Sequence, residues 1–223
     1  MRVIHRLATT SDIVVANLYL LGGVRQVTDQ NAGIELLLLE ASERGTRTYG
    51  RDRLRRTMAQ LGTTIVTQVN TDWTSIGLRA TRGTLDSTWS VFASRIMEPR
   101  LDSAEVDLIR RQMVAAVRQR EDSPDVLAEF VADSFAFSGH PYALPPAGTE
   151  SSLQRYNATQ VVKSRMLLVI VGNVARARVE RLVRATLGRL PSGNYVWTLP
   201  DTLPRSRSGV VTIDRPLPTN YIF

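Results

Sequence analysis

Apolar and polar residues alternate along two stretches at the start of the chain, Arg2 to Leu7 and Ile13 to Leu21, with Thr9-Thr10-Ser11-Asp12 between them. A period of two is the mark of a half-buried strand, so the two stretches read as a first hairpin closed by Gly22-Gly23. From Asn31 to Glu43 the period changes. Ile34, Leu37, Leu38 and Ala41 recur at helical spacing, and Leu36 and Leu39 carry the apolar stripe almost all the way round. A helix of that kind belongs inside the protein, and Gly45 closes it.

Further along, Asp52 to Leu61 is an arginine-rich helix stopped at Gly62, followed by extended segments at Thr63 to Val69 and Trp73 to Thr81. Leu85 to Met97 returns to helical spacing, with Trp89, Phe92 and Ile96 on one side and Pro99 beyond its end. Asp102 begins a long helix striped by Val106, Ile109, Met113 and Val117, with Asp102 and Glu105 placed as a capping box. Asp122-Ser123-Pro124 ends it and starts another, Val126 to Phe135. The run Gly139 to Gly148, which contains His140-Pro141-Tyr142, is a loop. Met166 to Val171 is an apolar strand and Arg176 to Leu187 a helix, after which Pro191 to Arg207 is linker-like. Val210 to Asp214 and Asn220 to Phe223 read as short strands.

This order predicts an α+β fold: an antiparallel sheet of about five to six strands packed against helices on one face. Residues 1–190 form one domain and residues 191–223 a linker with final strands. With 43% apolar residues the chain can bury a sizeable core, and without cysteine it has neither disulfides nor thiolate metal ligands. The net charge of +7 comes mostly from arginines spread over helical faces, such as Arg51, Arg53, Arg55 and Arg56, or Arg176, Arg178, Arg181 and Arg184. They read as solvated faces, without the interleaved aromatics or phosphate loop of a nucleic-acid or nucleotide site. No apolar run is long enough to span a membrane. Asp12 interrupts any signal-peptide core at the start, and an upstream targeting segment stays possible.

Several landmarks along this order resemble the insulinase-like (pitrilysin) family of zinc peptidases. Gly33-Ile34 and Gly45-Thr46 have the separation of that family's Gly-Leu-Ala-His-Leu-Leu-Glu-His helix and the Gly-Thr that follows it. Leu61-Gly62, Val66-Thr67-Gln68-Val69, Thr74, Asp122-Ser123-Pro124, His140-Pro141-Tyr142, Gly148-Thr149 and Val169-Ile170-Val171-Gly172-Asn173-Val174 come in the family's sequence, and Asp214-Arg215-Pro216 is similar to the lead into its second half. Between Thr149 and Gly172 the chain is shorter than the pattern by about two helical turns, which implies a shortened or missing helix before Met166. The resemblance implies one half of a clamshell, the N-terminal one.

It also marks what is missing. Carried over by position, the family's two zinc-binding histidines fall on Leu36 and Glu40 and its base on Leu39, within Gly33-Ile-Glu-Leu-Leu-Leu-Leu-Glu40. The third ligand, a glutamate in the family, falls on Ala116, or on Ala115 or Val117 with a register shift of one. A zinc hydrolase needs three protein ligands and a base, and leucine and alanine supply neither, so zinc is not expected. The only histidines, His5 and His140, lie elsewhere, and His140 reads as a hydrogen-bond donor that fixes its loop. Glu35 or Glu40 with Asp72 is a remote alternative acid/base pair.

The resemblance therefore implies a catalytically inactive homologue acting as a partner-dependent subunit. It would close a chamber with an active zinc-peptidase subunit, or with a second half of its own protein, and bind extended peptides along the edge strand carrying Val66, Thr67, Gln68 and Val69. In paired bacterial relatives the inactive protein contributes an Arg/Tyr pair from its C-terminal half, beyond Phe223. The alternatives are a purely structural assembly module of the same fold or, more distantly, a basic nucleic-acid-binding domain. Composition fixes no compartment; the resemblance leans to a bacterial periplasmic or otherwise extracytoplasmic one.

Overall fold

The computed structural model describes residues 1–149, 162–198, 202 and 208–214. Five strands are described: β1 (Arg2–Leu7), β2 (Ile13–Leu21), β3 (Thr64–Val69), β4 (Trp73–Thr81) and β5 (Met166–Gly172). Six α-helices accompany them: α1 (Ile34–Ser42), α2 (Arg51–Leu61), α3 (Leu85–Met97), α4 (Ser103–Glu121), α5 (Pro124–Ala136) and α6 (Arg176–Ala185). The architecture is the expected α+β sheet with helices against it.

One pairing departs from expectation. The sheet order is β1-β5-β2-β4-β3, so β1 and β2 form no hairpin. β5 enters between them, parallel to β1 and antiparallel to β2, and the sheet is mixed. The reason lies in the side chains. Met166-Leu-Leu-Val-Ile-Val-Gly172 is apolar throughout and gains most from neighbours on both edges. β1 carries the charges of Arg2 and Arg6 and the polar ring of His5, side chains suited to a sheet edge.

Along β2 and β5 burial alternates: Val14, Ala16, Leu18, Met166, Leu168 and Ile170 are buried, while the residues between them are partly open. The buried face meets Trp89 and Phe92 of α3 and Val179 and Val183 of α6 in one continuous core that also takes in Leu39 of α1. Trp89 satisfies its indole N–H at Thr186 Oγ1, 3.1 Å away. Burial of such side chains contributes about 1.5–3 kcal/mol each. On α4, Val106, Ile109 and Val117 are buried and α4 packs on α1.

Smaller differences have local causes. α1 begins at Ile34 because Asn31 ties back to Thr28 in a preceding turn. Asp102 caps α4 by accepting from the Ala104 N–H, but Glu105 binds Arg51 at 2.9 Å, so no reciprocal capping box forms. Residues 210–214 have no regular structure and are exposed, so the expected strand is absent there. The other expected strand, Asn220 to Phe223, and the shortened helix before Met166 lie outside the described residues. Residues 191–198 lack regular structure yet are tied to the body, through Lys163 N–H to Pro191 O (2.8 Å) and Ser164 N–H to Ser192 O (2.8 Å). No helix among the described residues is long and apolar enough to cross a membrane.

Candidate functional site

α1 is placed by contacts at both ends. It is entered through Gly33, whose φ of +82° favours glycine. A Cβ on Gly33 would lie 2.5 Å from the carbonyl oxygen of Ala147, and one on Gly148 would lie 2.5 Å from that of Ala32. Two backbones cross here with no room for a side chain on either. In the first turn Glu35 is buried and pairs with Arg165 at 2.5 Å. Arg165 also donates from Nε to the Leu21 carbonyl (3.0 Å) and stacks over Tyr195.

The far end of α1 is held by Arg95 of α3, which is 3% exposed. It donates to the Leu39 carbonyl and to Ser42 Oγ, each at 3.1 Å, and pairs with Glu43 at 3.2 Å. Burial pushes its pKa below the usual arginine range, and the charges of Glu43 and Glu40 oppose that shift. The guanidinium therefore satisfies a terminal carbonyl where the helix dipole favours a cation.

The positions singled out from the sequence fall between these anchors. Leu36 is half-buried and Leu39 is buried in the main core. Glu40 is half-buried, and its carboxylate accepts the Thr67 hydroxyl of β3. On α4, Ala116 is exposed and Val117, the next residue, is buried, so Val117 is the side chain of that turn that faces inward. The structure thus brings Glu40 and Thr67 together, and it places Leu39 in hydrocarbon packing. Leucine has no lone pair for a metal and accepts no proton, so a single carboxylate remains at this site. Among the described residues no group of three or more His, Cys, Asp or Glu side chains could hold a metal ion.

Other candidates have different partners. His5 bonds the Val174 carbonyl at 2.8 Å. His140 fixes its loop as an acceptor rather than as the expected donor: its Nδ1 takes the Tyr142 N–H at 3.2 Å, because the following 3-10 turn needs its first N–H capped. The Tyr142 hydroxyl donates to Asp72 at 2.6 Å. Partial desolvation, with the bond to Asp72 and its charge, raises the Tyr142 pKa. Glu35, Glu40 and Asp72 thus bind Arg165, Thr67 and Tyr142 respectively, and no pair of them works together.

Among the described residues β3 ends the sheet on the side opposite β1. The Asn70 N–H bonds the Trp73 carbonyl at 2.8 Å across the β3–β4 turn. Alternation from that pair makes Gln68, Val66 and Thr64 the residues bonded to β4 and leaves the N–H and C=O groups of Ile65, Thr67 and Val69 pointing away from the sheet. Val66, on the open face, is 57% exposed.

An α1 helix held at both ends, a following edge strand and an α4 stripe packed on α1 form a recognisable frame. Residues 2–150 match the family model for insulinase, peptidase family M16. The chain belongs to this family. Searched against curated proteins, it gives no match. Among solved structures the M16 chain is similar to a peptidase M16 inactive domain from Pseudomonas fluorescens, with TM-score 0.82 and 17% identity over 92% of this chain and 52% of that one. A protease from Helicobacter pylori gives 0.71 and 19% over 92% and 50%. A chain of complex III2 from Candida albicans gives 0.67 and 16% over 92% and 47%. The M16 chain spans about half the length of these proteins, and at such identities the likeness is one of fold.

Sequence reasoning missed Arg95 and Arg165, the buried cations that hold α1. Arg95 follows Phe92 by three residues and adjoins Ile96, so a charge set into an apolar stripe was the available signal. Nothing comparable marks Arg165, whose partner is 130 positions away in a different element.

Proposed function

We propose that this M16 chain is a non-peptidase half that acts through a partner. It closes a chamber with an active zinc-peptidase subunit, or with a second half of its own protein, and holds extended peptide along β3. Residues 1–190 supply the domain, and residues 191–223 lead toward the other half. The observation that carries the reading is Leu39, a core side chain at the family's base position, between Leu36 and a Glu40 already engaged with Thr67. Support comes also from the likeness to a domain described as inactive. Strand addition uses main-chain hydrogen bonds, so it survives the loss of metal ligands.

The test is direct. Calorimetric titration of the purified chain with Zn²⁺ should give no stoichiometric binding, and unstructured peptides should stay intact. Mixed with a zinc-bearing M16 subunit encoded alongside it, the chain should form a stable complex and raise that subunit's peptide hydrolysis. Unaided cleavage by the chain would overturn the proposal. A second reading, a structural module of a larger assembly, draws on the complex III2 likeness. It predicts a stable complex with no gain in hydrolysis.

A further inference from the structure

An open groove of about 710 Å³ runs between β3 and α2. Its floor is apolar: Leu54 and Ile65 are buried there, and Met58 is half-buried. Its rim is cationic. Arg55 and Arg56 line the groove, both exposed, and neither enters an ion pair among the described residues. Of the two acids that line it, Glu43 is held by Arg95 and only Asp52, in the first turn of α2, faces the groove without a cation bound to it.

A strand laid against the free N–H and C=O groups of Ile65, Thr67 and Val69 presents alternate side chains to the two sides of the sheet. Those on the helix side descend into this groove. The side chain that fits has an aliphatic stem for the floor and an anionic head for the rim, and glutamate supplies both. We infer that the strand accepted at the β3 edge carries glutamates at alternate positions, received by Arg55 and Arg56. The inference rests on the peptide-docking reading above and adds the chemical class of the peptide.

Fluorescence anisotropy at low salt, with labelled octapeptides of alternating Thr-Glu, Thr-Gln and Thr-Lys, tests it on the full chain. Two exposed charge pairs correspond to about a fivefold preference. The Thr-Glu peptide should therefore bind about fivefold tighter than Thr-Gln and tighter still than Thr-Lys. In the R55Q/R56Q variant that preference should vanish. Both arginines are exposed, so the variant keeps its fold, which a melting curve verifies. A Thr-Glu peptide N-methylated at alternate amides, in either register, keeps the charge but loses strand pairing and should not bind. Equal affinity for Thr-Glu and Thr-Gln, or a preference that survives R55Q/R56Q, overturns the inference and leaves peptide docking standing. Undiminished binding of the N-methylated peptides overturns it as charge attraction alone. Failure of every peptide to bind removes the docking reading as well.

Discussion

Glu35 and Arg165 offer the sharpest test of how α1 is held. Both side chains are more than nine-tenths buried, and their charged ends meet at 2.5 Å. Glu35→Gln keeps the shape of the side chain and removes the charge, leaving the guanidinium in the interior without its counter-ion. Breaking a buried pair in this way costs about 3–5 kcal/mol. Arg165 keeps its bond to the Leu21 carbonyl and its place over Tyr195, so the lower end of that range applies, about 3 kcal/mol. For a chain of this size each kcal/mol lowers Tm by roughly 2–4 °C, which gives a fall of about 6–12 °C. The double variant E35L/R165M replaces both charges with hydrocarbon and should recover most of the loss, because the desolvation of two ions disappears with them. Denaturant midpoints and thermal melts of the wild type, both single variants and the double close the cycle. A loss under about 1 kcal/mol for Glu35→Gln, or a double variant as unstable as the two singles added, would refute the argument.

Three further outcomes follow from the geometry. Gly33→Ala should cost well over 2 kcal/mol, since its Cβ meets a carbonyl oxygen at 2.5 Å as well as left-handed backbone strain, whereas Gly62→Ala, at φ +57° with open space around it, should lose only about 1–2 kcal/mol; chemical denaturation of the two separates steric conflict from strain. Tyr142 is held protonated against Asp72, so its folded pKa is raised; the stability this contributes is complete below the unfolded tyrosine pKa near 10 and is lost as pH rises through the folded value. Tyr142→Phe should abolish that alkaline loss in melts recorded from pH 8 to 11. Installing the family's motif as L36H/L39E/E40H should lower Tm by placing a carboxylate at a core position, and added zinc should restore stability only once Val117→Glu supplies a third ligand, as followed by thermal melts with and without the metal.

Much of this was legible in the sequence because periodicity reports burial. The leucines from Leu36 to Leu39 announced a buried helix, Val106, Ile109 and Val117 announced the inner side of α4, and Trp89 and Phe92 the core. Pairing was harder. β1 and β2 alternate like a hairpin, and no local feature says that a strand from the far end of the chain will insert between them. The α1 anchors were hidden for a similar reason: a buried charge is stable only beside a partner that sequence spacing does not reveal. His140 shows a finer limit, since a histidine in a turn donates or accepts according to the turn that follows it.

The placement of β5 also sets the order in which the molecule can be built. β2, β4 and β3 lie within the first 81 residues and can pair with one another as soon as they are made. Among the described strands β1 pairs only with β5, so it has no partner there until Met166 to Gly172 has been synthesised: Arg2 aligns with Leu167 and Leu7 with Gly172. Until β5 is made, β1 therefore lacks its pairing strand, and non-local pairings of this kind slow folding. The charges of Arg2 and Arg6 protect that strand from other chains. Sheet closure then waits for β5 and joins Arg2–Leu7 to residues made just before α6.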